Sequence, residues 1–291
     1  MLVESRAKLK PMNEGNILGF HSVKLCCSNS KALSYFFKTC MGFEGVANKG
    51  LGTGSYYTSS RVLRNGECTI ALVSVISSTE TEFERKHKQF LNLGIEGIVG
   101  NVVSEFASWF PLESKLELEG IIMRKYFSEV SNISKNTAGE NRPGLREKKL
   151  AKAIASDKIE LLVVLRFLLK HEDGILDVLF KVNNCAQVFK ESTTKGTAIA
   201  ILAPAIQVDS SGYVKSATIG IPGTNVQHTL IELNEYKGAY LPGYQFSNSK
   251  EEHESFISLQ KIDQCVQSFE RGEMMNHARF YEKSLGFHEF W

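Results

Sequence analysis

The chain has no long apolar run, no marked excess of either charge and no pattern in its cysteines. The apolar stretch Leu161 to Leu165 is broken at Arg166, and Ala198 to Ala203 ends at Pro204. Both are well short of the ~20 residues a membrane-crossing helix needs, so no membrane association is expected. The start, Met-Leu-Val-Glu-Ser-Arg-Ala-Lys, lacks the apolar core of a secretory leader. Lys and Arg total 34 against 32 Asp and Glu, a balance that argues against nucleic acid as a partner and leaves a small molecule or another protein. The six cysteines (26, 27, 40, 68, 185 and 265) include no CxxC pair, which argues against a zinc site or a disulfide scaffold. A reduced, cytoplasmic setting follows as the expectation.

What is present is enough to build a core: 291 residues, 43% of them hydrophobic. From Gly19 to about Ile76 the order reads strand, helix, strands. Phe20 to Cys26 alternates, and Ser30 is placed to cap a helix whose apolar positions Leu33, Phe36, Phe37 and Cys40 share one face before Gly42 ends it. Ser55 to Leu63 and Cys68 to Ile76 form a hairpin through Asn65-Gly66, a type I′ turn signal. The order returns from Gly174 to Leu233, with a strand at Ile175 to Val182, a short helix at Cys185 to Ser192, and three further extended runs. Two βαβββ units, residues 15–79 and 169–247, therefore frame the chain. Each has an apolar sheet face and an edge to cover, so the expected fold class is α+β: the modules pair side by side into one curved mixed sheet with helices outside.

Residues 80–168 fit neither unit and read as a largely helical insertion, with patterns at Glu82 to Leu93 and Arg146 to Lys170 around a polar stretch, Asn132 to Gly144. Its place in the fold stays open between a lid, a partner-binding arm and sequence not native to the fold. Residues 258–291 begin a third copy of the strand and helix, ending at Gly286-Phe287 as the first helix ends at Gly42-Phe43. No strands follow before Trp291. Tyr281, Leu285, Phe287, Phe290 and Trp291 form an apolar group that is expected to associate, fold back or stay exposed.

Gly19-Phe-His-Ser-Val23, Met41-Gly-Phe-Glu44, Gly50-Leu-Gly-Thr-Gly-Ser55 and Val62-Leu-Arg-Asn-Gly66, in that order, resemble 4-hydroxyphenylpyruvate dioxygenase. The later half agrees: His171-Glu-Asp-Gly174, Asn183-Asn-Cys185, His228-Thr-Leu-Ile-Glu232 and Tyr240-Leu-Pro-Gly-Tyr244 are similar to that family's motifs. The resemblance covers roughly residues 15–78 and 170–291. It implies a vicinal-oxygen-chelate fold, two paired-module domains per full protein, and an Fe(II)-dependent step of tyrosine breakdown that converts 4-hydroxyphenylpyruvate and dioxygen to homogentisate and carbon dioxide. A facial triad of two His and one carboxylate would hold the iron, leaving positions open for keto acid and oxygen. In the family this triad lies in the second domain.

Here the pattern departs. Ile262-Asp263-Gln264-Cys265 places Gln264 where the first ligand, a His, is expected; an amide oxygen is a poorer donor to iron than imidazole. The other His and the Glu would fall beyond Trp291, so the chain is expected to be a truncated member, inactive alone, with no catalytic residue of its own. The repeat puts His21, Asp177 and Glu232 at the corresponding positions of the first domain, a chemically plausible but vestigial triad. The resemblance assigns that domain no metal, and a His near a strand start more often serves a hydrogen bond.

Other features have structural readings that compete with functional ones. His228 and Glu232, four apart on a strand, face one side; a bond to neighbouring backbone is a commoner use than zinc. His171 and Asp173 are expected to satisfy turn donors, and His277 to be solvated. Cys26 and Cys27, adjacent in a strand, point to opposite faces and read as core filling. Gly50 to Ser55 lacks the Lys-Ser/Thr ending of a phosphate loop. Two functions remain: an iron dioxygenase without its catalytic half, or a non-catalytic scaffold that forms homo- or hetero-oligomers.

Overall fold

The computed structural model describes residues 15–76, 157, 160–161, 163–247 and 257–289. The patterns expected at Glu82 to Leu93 and Asn132 to Gly144, the start of the one beginning at Arg146, and Phe290 and Trp291 lie outside these residues. Within them run β1 (Ile17–Cys26), α1 (Ser30–Met41), β2 (Glu44–Lys49), a 3-10 turn (Leu51–Thr53), β3 (Thr58–Asn65) and β4 (Cys68–Val75). Helical residues 163–171 (α2) lead into β5 (Gly174–Val182), α3 (Cys185–Thr194), β6 (Ile199–Asp209), β7 (Gly212–Gly220) and β8 (Gln227–Asn234). β9 (Gln245–Phe246) and α4 (Met274–Leu285) complete the series.

All nine strands join one curled mixed sheet in the order β6-β7-β8-β5-β1-β4-β3-β2-β9. Each module folds alike. Its last strand returns parallel to its first, Val23 opposite Ile70 in one and Val178 opposite His228 in the other. The modules meet through β1 and β5, antiparallel with Val23 opposite Val178. This is the side-by-side pairing expected from the sequence, because each first strand supplies the free edge the other needs. Covered on both faces, β5 is buried almost continuously rather than alternately.

α1 and α3 pack on one face. Leu33 and Phe37 of α1 meet Leu63, Cys68 and Leu72, while Cys185 and Val188 of α3 meet Val178, Phe180 and Leu230. The opposite, inner face is filled from two directions. Val164 and Phe167 of α2 cover Cys26, Val73 and Leu176. Tyr236, Ala239, Tyr240 and Leu241 cover Ala47, Val62, Ala71, Val214 and Ile231. The end of the segment read as an insertion thus belongs to the packing of the sheet.

Two local expectations shift by one residue. Asn29, not Ser30, caps α1: its Oδ1 accepts from the Lys31 and Ala32 amides at 3.0 Å each. Ser30 is the first helical residue, and its buried hydroxyl meets Ser74 Oγ at 2.7 Å. In the hairpin, Asn65 is the last ladder residue, opposite Cys68, so the two turn residues are Gly66 and Glu67. Gly66 takes φ 57°. Asn65 instead binds three backbone groups, donating to Met41 O and Ile257 O at 3.1 and 3.0 Å and accepting from Leu259 N at 3.1 Å. It thereby lays residues 257–262 across the hairpin, where Leu259 and Ile262 pack beside Leu63 and Leu72.

The C-terminal apolar group folds back. Phe280 is 4% exposed against Ala198, Ile219 and Ile221, and Leu285 reaches the α3 cluster. Ser192 Oγ donates to Ser284 O at 2.6 Å, and Ser284 Oγ accepts from Thr197 N at 3.0 Å. Phe287 touches Phe180 but stays 38% exposed. The run before α4, expected to be strand-like, has no ladder partner among the described residues.

Gly66 is where the hairpin tests its own geometry. A Cβ there would collide with Leu259 O, and the left-handed φ disfavours any side chain. Gly66→Ala is expected to cost about 1–3 kcal/mol in urea unfolding, with faster amide exchange at Leu259; an unchanged midpoint would contradict the turn assignment.

Candidate functional site

The inner face gathers the charged and hydroxyl side chains. Ser22 Oγ lies 2.7 Å from Tyr240 OH, and Tyr244 OH donates to Ser60 Oγ at 3.0 Å. Lys24 and Asp177 are cross-strand neighbours on β1 and β5. Lys24 Nζ and Lys49 Nζ reach the Glu160 carboxylate at 3.4 and 2.7 Å. Asp157, three residues before Glu160 and 3% exposed, accepts from the hydroxyls of Ser55 and Thr58 and from the Tyr56 and Tyr57 amides. Glu160 and Asp157 fall in the segment that sequence reading set aside. Nothing in their helical spacing signals which sheet side chains they meet.

Burial opposes the charge of Glu160, but Lys49 and Lys24 outweigh it and hold the carboxyl at about 2. Lys24 and Lys49 are raised in turn: burial disfavours their charge and Glu160 more than restores it. Burial pushes Asp177 above the usual carboxylate range, against the pull of Lys24 and of its hydrogen bonds. Its oxygens accept from Thr229 N at 2.9 Å, Thr229 Oγ1 at 2.6 Å and Gln227 Nε2 at 3.0 Å.

His21, Asp177 and Glu232 are not brought together. Gln227 and Thr229 share the face of Asp177, so Glu232, at odd spacing from both along β8, points to the other face. There Glu232 Oε2 accepts from Cys185 N at 2.9 Å, compensating the N-terminus of α3, and Oε1 accepts from Lys215 Nζ at 2.8 Å. Burial disfavours its charge, but these donors hold its carboxyl below the ordinary range. His21 Nδ1 lies 2.9 Å from Ser22 Oγ, its ring beside Tyr240 at 5.4 Å. Gln264 is exposed, far along the chain from any ladder. These residues do not fit a shared iron ion, and among the described residues no group of three His, Cys, Asp or Glu does.

The remaining candidates serve the fold. His228 shares the Glu232 face but binds separately, Nδ1 3.3 Å from Val178 O and Nε2 3.0 Å from Tyr281 OH. Since a carbonyl only accepts, Nδ1 carries the proton and Tyr281 donates to Nε2. This bond ties α4 to the sheet. Asp173 accepts from Ser28 N and Oγ at 2.8 Å each, and His171 meets Asn225 Oδ1 at 3.1 Å. His277 stacks on Phe269 at 3.7 Å instead of standing free. Cys26 and Cys27 enter separate clusters on opposite faces, and burial pushes their thiols up to about 12 and about 11. Gly50 to Ser55 forms the 3-10 turn before β3, with no helix long enough for a phosphate site.

Burial pushes His228 down to about 4, and burial with Lys181 and Arg64 does the same to His21. Below the ordinary 6.5 the unfolded chain takes up protons that the folded chain refuses until about 4. Stability is therefore full above that ordinary value and falls as pH drops through the window. For His228 the loss reaches at most about 3 kcal/mol. Glu160 extends the fall, because the unfolded carboxyl protonates near 4.5 while the paired one resists to about 2. Thermal midpoints between pH 7.5 and 4 should fall on acidification, with a shallower fall in His228→Gln; a flat profile would contradict the buried neutral imidazoles.

No protein-family model matches the chain. It is 28% identical over 285 residues to 4-hydroxyphenylpyruvate dioxygenase of Coccidioides posadasii, covering 97% of this chain and 54% of that protein. It is 29% identical over 277 residues to the enzyme of the same name from Aspergillus fumigatus, covering 94% and 51%. Matches of this length run through residues 80–168, which sequence reading left outside the resemblance. The chain spans about half the length of the curated relatives it matches. Among solved structures, a mutant 4-hydroxymandelate synthase from Streptomyces coelicolor superposes with TM-score 0.53 at 16% identity, over 95% of this chain and 55% of that one. The pairing of two βαβββ modules and the matches along nearly the whole chain agree: the chain is similar to the 4-hydroxyphenylpyruvate dioxygenases along nearly all of its length, on a vicinal-oxygen-chelate fold.

Proposed function

We propose that these residues form the scaffold half of a 4-hydroxyphenylpyruvate dioxygenase-type protein. The overall reaction would be the family's Fe(II)-dependent conversion of 4-hydroxyphenylpyruvate and dioxygen to homogentisate and carbon dioxide in tyrosine catabolism. The 291-residue chain assayed alone would not perform it. One observation carries the reading: Asp177 and Glu232 point to opposite faces of the sheet, each already bound to its own donors, so they cannot close a triad with His21. Iron chemistry would then depend on ligands outside this set. A cytoplasmic homo- or hetero-oligomer, in which these modules position a catalytic partner domain, is the form this role would take. Among the described residues no helix is long and apolar enough to cross a membrane.

Oxygen uptake and homogentisate formation with 4-hydroxyphenylpyruvate and Fe(II) are expected not to exceed an iron-only control; turnover by the purified chain would refute the scaffold reading. Anaerobic equilibrium dialysis with Fe(II) provides a readout independent of turnover. Wild type and His21→Ala should retain the same, substoichiometric iron, whereas a loss on substitution would restore His21 as a ligand.

A further inference from the structure

The inner face of the first module holds a charged group to which the scaffold role assigns no use. Lys24 on β1 and Lys49 on β2 stand on strands separated by β4 and β3, yet both ammonium groups converge on the one carboxylate of Glu160. Thr58 Oγ1 approaches it at 3.4 Å. Glu160 belongs to neither module's sheet. It arrives from the helical residues before α2, anchored by the four donors on Asp157. Asp177 favours the charge of Lys24 from the neighbouring strand, but its oxygens are hydrogen-bonded by Thr229 and Gln227, and the close ion-pair contact is with Glu160. Around the lysines lie Ala47, Val62 and Ala71, with Tyr240 and Tyr244 packed edge to face at 5.0 Å. Two ammonium groups in such surroundings require an anion. Glu160 supplies one as a ligand would, through its carboxylate alone.

We propose that Lys24 and Lys49 form a binding site for a small monocarboxylate, occupied in cis by Glu160. Truncating Glu160 removes the carboxylate that both cations share and opens the space it fills, so an external carboxylate restores what the side chain provided. The lysines contribute charge and donors, while the Thr58 hydroxyl, whose single proton goes to Asp157, only borders the anion. Chloride cannot reproduce the two-oxygen geometry that bridges donors from β1 and β2.

The test compares thermal unfolding of Glu160→Ala in sodium acetate and in sodium chloride at equal ionic strength. In chloride the midpoint should fall by on the order of 10 °C. Acetate should return at least half of that loss while leaving wild type indifferent to the choice of salt. Adding Lys49→Met should abolish the acetate response. If Glu160→Ala does not fold in chloride, refolding from urea gives the same comparison, with native circular dichroism recovered in acetate only. Equal behaviour in both salts, an acetate effect that survives Lys49→Met, or no recovery in either salt overturns the proposal.

Discussion

The antiparallel pairing of β1 with β5 is the constraint on which the rest of the molecule depends. Alone, each module is a four-stranded sheet with its first strand at an open edge. Joined, the two edges vanish, and both strands acquire neighbours on each side. Burying each Val or Leu along such strands contributes roughly 1.5–3 kcal/mol, which explains why Val178, Leu179 and Phe180 run together without the alternation of a half-exposed strand. The pairing also decides which side chains meet across the seam. Lys24 comes to stand beside Asp177, and Ser22 beside Leu179 and beneath Tyr240.

That seam divides labour between the two faces. The face carrying α1 and α3 is packed mainly with aliphatic and aromatic side chains; apart from buried His228, its polar groups cluster at helix termini, where Asn29 and Asn184 cap and Glu232 backs the start of α3. The inner face keeps lysines, carboxylates and tyrosines in one hydrogen-bonded neighbourhood. Such a network is costly to desolvate and stable only while every member is matched. The α2 region provides the match, which makes a segment outside both modules part of their energetics.

Much of the architecture was legible because it is local. Strand and helix in both modules follow from periodicity, and Gly42 and Gly286 end their helices in the left-handed conformation their sequence positions suggest. Where expectation slipped, two chemically similar neighbours competed for one role. Asn29 outcompeted Ser30 as the cap because its side chain reaches two amides, and the hairpin placed Gly66 first in the turn because Asn65 was needed to hold residues 257–262. The site was less legible. His21, Asp177 and Glu232 align as ligands by repeat position, but spacing along a chain does not reveal which face a residue on a neighbouring strand will take.

Sequence alone determined the two-module plan and the likeness to the 4-hydroxyphenylpyruvate dioxygenases, since motif order and hydrophobic period are written along the chain. Tertiary structure decided the rest. It separated Asp177 from Glu232 by the parity of parallel register, folded α4 back onto Ile219 and Ile221, and set Glu160 between Lys24 and Lys49. Register, face and long-range charge matching are properties of strands and helices already in place, and no local pattern encodes them.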